Sequence, residues 1–132
     1  VAHVAPLASR ELRLMALLHD APEYVIGDII SPFKAAVGES YRNVENRLMA
    51  AIHLRFGLSP AAPAPAAKLI KRGDQIAAFM EATHLAGFDR EEALTFFGRP
   101  EPLPREIMAL AEPWPVAEAQ ARFLARFGAL QG

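Results

Sequence analysis

The sequence has no cysteine among its 132 residues. Disulfides, thiolate nucleophiles and cysteine-based zinc sites are therefore excluded, and a metal here must be held by histidine nitrogen and carboxylate oxygen. An excess of charge of one sign is also missing, because 14 Lys and Arg residues and 15 Asp and Glu residues leave a formal net charge of −1. A chain so close to neutrality does not predict binding to nucleic acid or to an anionic membrane surface.

Long apolar runs are absent as well. Hydrophobic residues make up 52% of the chain, yet no run approaches the roughly 20 residues that a membrane-spanning helix needs. The first residues, VAHVAPLASREL, lack the basic region and the apolar stretch of a signal peptide. A chain of this length can bury one hydrophobic core, so we expect a single cytoplasmic domain over residues 1–132.

What the sequence does contain is apolar residues at helical spacing, with weak strand patterns throughout. Ser9 is predicted to cap a first helix that runs into His19 and kinks or stops near Pro22. The stretch ISPFK after Gly27 predicts a loop with a Ser-Pro turn. Further helices are expected over residues 40–56, 66–86, 89–96, 104–111 and 116–127, the last ended by Gly128. The pattern predicts an all-α bundle of about five to six helices.

The stretch LLHDAPEYVIGD, residues 17–28, combines a histidine with three carboxylates: His19, Asp20, Glu23 and Asp28. Charged groups beside core-forming leucines need a partner, a metal ion or a shifted pKa. In a helix His19 and Glu23 share a face. His19 and Asp20 can still converge on one ion, because imidazole is long and carboxylate is short. One His and one Asp are too few ligands for a catalytic ion, so others must come from elsewhere.

Asp74, in KLIKRGDQIAAFMEA, is the best additional carboxylate. It lies in the middle of a predicted helix with Ile70 and Ala78 on nearby turns, although aspartate is a poor helix former. Two interpretations are open at this point. Asp74 is either a metal ligand or an ordinary helix residue, exposed or paired with Lys71 or Arg72.

Taken together, HDAPEYVIGDIISPFK and the isolated Asp74 resemble the HD superfamily of metal-dependent phosphohydrolases. The chain is most similar to the short bacterial and phage branch and to the 5′-deoxynucleotidases that share the HDxxE…GD pattern. The stretches YRNVENRLMAAI and KRGDQIAAFMEA also resemble the later helices of that family. The resemblance covers residues 10–85 well and implies a compact HD-type helical bundle.

The resemblance implies a role for each matching residue: His19, Asp20 and Asp74 as metal ligands, and Glu23 and Asp28 as catalytic residues. The family's ligand set also includes a histidine on a preceding helix. His3 lies 16 residues before His19, which is short for that role. We therefore expect the first ligand in a segment that precedes Val1, with His3 as the alternative.

A site of His and Asp suits a divalent ion such as Mn²⁺, Co²⁺, Fe²⁺, Ni²⁺, Zn²⁺ or Mg²⁺. The ion would lower the pKa of bound water and neutralise phosphoryl oxygens, and Glu23 would position or deprotonate that water. Asp28 would protonate the leaving oxygen or hold the water, the alternative being an ordinary turn residue after Gly27. Lys34 is predicted to contact the substrate phosphate, the alternative being a surface lysine.

The resemblance implies hydrolysis of a small-molecule nucleotide, most directly of a deoxynucleoside 5′-monophosphate to nucleoside and phosphate. Two alternatives stay open. One is a triphosphohydrolase of (deoxy)nucleoside triphosphates, and the other is a catalytically weak HD-fold subunit for ligand binding or assembly. No residue is identifiable as reading the base. A homodimer is the expected assembly, with neither nucleic acid nor membrane as a partner.

Overall fold

In a computed structural model of the protein, the structure describes residues 9–29, 31–98 and 105–132, which form helices and connecting turns without a strand. The helices in these ranges are α1 (Arg10–Leu17), α2 (Glu23–Ile26), α3 (Ser31–Val37), α4 (Glu39–Arg55), α5 (Ala64–His84), α6 (Arg90–Phe97), α7 (Arg105–Met108), a 3-10 helix (Ala109–Ala111) and α8 (Val116–Gln131). The prediction of an all-α protein is confirmed. None of these helices combines the length and the apolar character that crossing a membrane requires.

The main hydrophobic core forms around α1. Leu14, Met15 and Leu18 are each at most 5% exposed. They pack against Leu58, which follows α4, and against Leu130 near the end of α8. Burying an aliphatic side chain of this size contributes about 1.5–3 kcal/mol. The core therefore anchors the end of α1 and, with it, the residues that follow in the chain.

Small side chains let α1 approach α5 closely. Ala16 on α1 and Ala66 on α5 are buried against each other, with Leu69 and Ile70 beside them. The distance between two packed helices depends on the side chains at the contact, so alanines on both sides bring the backbones together. This contact places α5, which carries Asp74, beside the end of α1.

The first helix ends earlier than the sequence predicts. The Ser9 side chain accepts a hydrogen bond from the Leu12 amide at 3.2 Å, which confirms the predicted cap. However, α1 ends at Leu17 instead of running into His19, and the chain turns over residues 18–22. A proline at position 22 would crowd the carbonyl of Leu18 in a continuous helix. His19 therefore lies in a turn rather than on a helix face.

The predicted loop at ISPFK is wrong, because residues 31–37 form α3. Proline in the first turn of a helix loses no intrahelical hydrogen bond, and its fixed φ suits the helix. The same Ser-Pro pair that suggests a turn can therefore begin a helix. The breaks at residues 18–22 and this extra helix explain why the described residues contain more helices than predicted.

The remaining helices follow the predictions more closely. α4 and α5 lie within two residues of the expected bounds, and α6 begins with a reciprocal capping box between Asp89 and Glu92. The exception is α8, which continues through Gly128 to Gln131. A glycine inside a helix costs roughly 0.5–1 kcal/mol relative to alanine. Burial of Leu130 in the main core, at 5% exposure, offsets that cost.

Candidate metal centre

His19 presents one defined ring nitrogen to the site. Its Nδ1 donates a hydrogen bond to the carbonyl oxygen of Ala16 at 2.9 Å. A carbonyl only accepts, so Nδ1 carries a proton and Nε2 is the nitrogen left to face a ligand. The bond also satisfies one of the carbonyls that the end of α1 leaves without an intrahelical partner. Nε2 itself is buried and has no hydrogen-bond partner among the described residues.

Two carboxylates converge on this nitrogen. Asp20 Oδ2 lies 2.8 Å from His19 Nε2, and Asp74 Oδ1 lies 3.6 Å from it. The short Asp20 contact does not have the geometry of a hydrogen bond, since Nε2 stays unsatisfied beside it. One ligand atom from each of these residues lies within 4.8 Å of the other two. The predicted ligands from two distant parts of the chain are therefore brought together.

Asp74 has contacts on both of its carboxylate oxygens. Its Oδ2 accepts a hydrogen bond from Lys71 Nζ at 2.7 Å, while Oδ1 faces His19. The close approach of His19 and the hydrogen bond and charge of Lys71 hold the pKa of Asp74 well below its usual range. Asp74 is therefore ionised whenever the protein is folded near neutral pH.

The same carboxylates act on the histidine. Burial opposes a positive charge on His19, but the two carboxylates of Asp20 and Asp74 beside the ring outweigh it and raise the pKa of His19 to about 9. A proton on Nε2 and a divalent cation at Nε2 would balance the same two negative charges. In this group of residues, called the ligand cluster below, a proton and a bound metal ion would therefore compete.

Glu23, the first residue of α2, has a half-buried side chain beside the ligand cluster. Burial raises the pKa of Glu23, and the charges of Asp20 and Asp28 raise it further, while Lys34 partly offsets them. A carboxyl with a raised pKa is suited to accept a proton near neutral pH. Asp28 lies in the segment after Gly27, where it is exposed and is not a member of the ligand cluster.

Lys34 has two carboxylate partners, neither of which was predicted from the sequence. Its Nζ lies 3.2 Å from Glu45 Oε1 and 3.6 Å from Glu23 Oε1. Glu45 is 11 positions from Lys34, and no local spacing rule links the two. The sequence does indicate that Tyr41 and Glu45 share a helix face, because they are four residues apart on one helix. That signal does not say which side chain they meet.

The donor set fits a divalent ion by its chemistry. One imidazole and two carboxylates, with a buried nitrogen that none of the described residues satisfies, are ligands suited to first-row divalent metals. The Ala16 carbonyl also orients the His19 ring, as hydrogen-bond acceptors commonly do for histidines that bind metal ions. His3, the alternative first ligand, lies outside the described residues.

Comparison with known proteins adds a relative but no activity. The chain is 48% identical over 126 residues to an uncharacterized protein of Rhodobacter capsulatus. The match covers 95% of this chain and 63% of that protein, so the chain spans somewhat less than two thirds of the relative's length. No protein-family model matches the sequence.

Proposed function

We propose that the chain is a divalent-metal-dependent phosphohydrolase that acts on a nucleotide, most directly on a deoxynucleoside 5′-monophosphate. The observation that carries the proposal is the convergence of Asp20 and Asp74 on the buried, unsatisfied Nε2 of His19. The resemblance of HDAPEYVIGDIISPFK to the HD superfamily supports the choice of a phosphate ester. A cytoplasmic homodimer accompanies the proposal as the expected form of the protein.

The ligand cluster would hold the ion. His19 offers Nε2, and Asp20 and Asp74 each offer a carboxylate oxygen, all on elements fixed by the core around α1. A bound divalent ion supplies a Lewis acid for phosphoryl oxygens and lowers the pKa of water. The hydrogen bond from His19 to the Ala16 carbonyl would keep Nε2 in place before metal binds.

Glu23 and Asp28 would move the protons. Water adds to phosphorus as the bond from phosphorus to the 5′ oxygen breaks, and the proton of the water passes to the Glu23 carboxylate. The leaving oxygen would take up a proton through Asp28, once solvent or Glu23 has passed one to its carboxylate, or Asp28 would instead hold the attacking water. The exposed position of Asp28 allows contact with a substrate that enters from solvent. Proton transfer by a positioned side chain contributes typically 10²- to 10⁴-fold in rate.

The test is phosphate release from a panel of deoxynucleoside mono- and triphosphates with Mn²⁺, Co²⁺ or EDTA. We expect release of phosphate from monophosphates that depends on added metal and is abolished by EDTA. Metal content measured on the same sample shows whether the protein is loaded.

Each other outcome changes the proposal in a defined way. Release of tripolyphosphate from triphosphates would show that the activity is that of a triphosphohydrolase and not that of a nucleotidase. A protein that is metal-loaded and yet inactive on the whole panel would contradict a nucleotide substrate. A protein that neither binds metal nor hydrolyses any substrate would support the catalytically weak binding or assembly subunit instead.

A further inference from the structure

Lys34 lies between carboxylates from two different helices. From α3 its Nζ reaches Glu45 Oε1 on α4 at 3.2 Å and Glu23 Oε1 on α2 at 3.6 Å. All three side chains are between 26% and 29% exposed, so the contacts are partly shielded from solvent. These residues are called the Lys34 triad below.

The charge of Lys34 is already balanced. Two carboxylates face one ammonium group, which leaves the Lys34 triad with a formal charge of −1. Lys34 Nζ also lies 5.8 Å from the ring centroid of Tyr41, whose face attracts a cation. A lysine held in this way has no spare positive charge to offer the dianion of a phosphate monoester.

Helix α2 needs support from outside to hold Glu23. It is four residues long, it has no buried residue, and no side chain caps its N-terminus. By contrast, α4 is 17 residues long and carries both Tyr41 and Glu45. Lys34 is the connection between the two, because it contacts Glu23 on one side and Glu45 on the other.

We propose that Lys34 is a positioning residue that holds Glu23, with Glu45 as its anchor on α4, rather than a contact to the substrate phosphate. The inference rests on the proposed function, in which Glu23 accepts the proton. Glu45 would then influence hydrolysis without contacting the substrate.

The test separates kcat from KM on the monophosphate that the wild-type protein hydrolyses. Misplacing a catalytic group by about 1 Å can cost on the order of 10²-fold. We expect Lys34→Gln to lower kcat roughly 10- to 100-fold while KM changes by less than about threefold. Glu45→Gln should lower kcat by a smaller factor in the same direction. The matched controls are Lys68→Gln and Glu81→Gln, two exposed positions on α5.

Two more variants test whether Lys34 acts through Glu23. In a Glu23→Gln background, Lys34→Gln should cause no further loss of kcat, because the group that it positions is already gone. Lys34→Arg keeps a cation within reach of both carboxylates and should retain more activity than Lys34→Gln.

The outcomes distinguish this inference from the proposed function. No hydrolysis by the metal-loaded wild-type protein would contradict the proposed function, and the inference would fall with it. An active wild type in which Lys34→Gln raises KM tenfold or more at unchanged kcat would overturn only the inference and restore the phosphate contact. Additive losses in the Glu23→Gln background would overturn it as well.

Discussion

The ligand cluster and the Lys34 triad have the same plan, which is one nitrogen base between two carboxylates. In the ligand cluster the base is His19, between Asp20 and Asp74. In the triad it is Lys34, between Glu23 and Glu45. The two clusters differ in how easily the base gives up its proton. A metal ion could replace the proton of His19, whereas Lys34 keeps its proton.

For Lys34, burial opposes the charge, but the hydrogen bond and charge of Glu45, with Tyr41 and Glu23, outweigh it and raise the pKa above its ordinary value. This lysine therefore stays charged near neutral pH. His19 has a pKa of about 9, close enough to neutrality for a metal ion to displace the proton. The two clusters have similar charge, but the Lys34 triad is a fixed network of ion pairs and the ligand cluster is a candidate metal centre.

The largest expected effect comes from removing a ligand. Asp74→Asn takes one negative charge from the ligand cluster, and we expect metal affinity to fall by more than the roughly 10- to 100-fold typical of outer-shell partners. Hydrolysis should fall to background. Isothermal titration calorimetry with Mn²⁺ measures the affinity. Asp89→Asn is the matched control, since asparagine caps α6 as well as aspartate does. Unchanged metal affinity in Asp74→Asn would rule out the ligand role of Asp74.

Glu23→Gln should separate catalysis from metal binding. The amide cannot accept the proton, so we expect kcat to fall roughly 10²- to 10⁴-fold. Metal affinity should stay close to that of the wild type, because Glu23 is not a member of the ligand cluster. Steady-state kinetics and metal titration on the same preparation provide both numbers. Full activity in this variant would show that another group takes the proton.

A third prediction concerns the proton on His19. Metal binding must displace it, so the affinity for metal should increase about tenfold per pH unit up to a pH of about 9 and then level off. In the metal-free protein, by contrast, the stability that His19 contributes to folding decreases as the pH rises. The protonated form contributes stability fully below pH 6.5, the ordinary pKa, and this contribution is lost as the pH rises to about 9.

Calorimetry in buffers of different ionisation enthalpy measures the proton released on metal binding, and thermal unfolding without metal measures the stability. A metal affinity that does not change between pH 6.5 and 9 would contradict competition at His19.

The smallest expected effect comes from Lys71, whose ammonium group pairs with Asp74 Oδ2. Its side chain is 70% exposed, and exposed pairs contribute at most about 1 kcal/mol. Lys71→Gln removes a cation that competes with the metal for Asp74, so affinity should rise by up to about fivefold. Lys68→Gln is the control. A large fall in affinity would mean that Lys71 orients Asp74 more than it competes.

The sequence predicted the parts of the molecule that depend on local rules. Helices α4, α5 and α6 have caps, glycine stops or periodic apolar residues, and their bounds lie within two residues of the expectation. The errors came where two rules compete. Ser31 and Pro32 suit both a turn and a helix start, and Gly128 ends a helix only where the next turn has nothing to bury.

In the candidate site, the residues that belong to a recognisable sequence motif were predicted, and the contacts between distant helices were not. His19, Asp20 and Asp74 were chosen as ligands, and the structure brings them together. The Ala16–Ala66 contact that brings α5 to α1 could not be derived from the sequence, since alanines at helical spacing are common on exposed faces too. Glu45 was missed for a similar reason, because its partner Lys34 lies on another helix.

The hydrogen bond from His19 to Ala16 has a consequence for how the protein can change over evolution. The acceptor is a main-chain carbonyl, so a substitution at position 16 alters the side chain and leaves the acceptor in place. Which imidazole nitrogen faces the carboxylates is therefore protected from most point mutations. The carboxylate partners have no such protection, because each is a side chain. If the proposed metal site exists, lineages that lose it should lose Asp20 or Asp74 first and keep the orientation of His19.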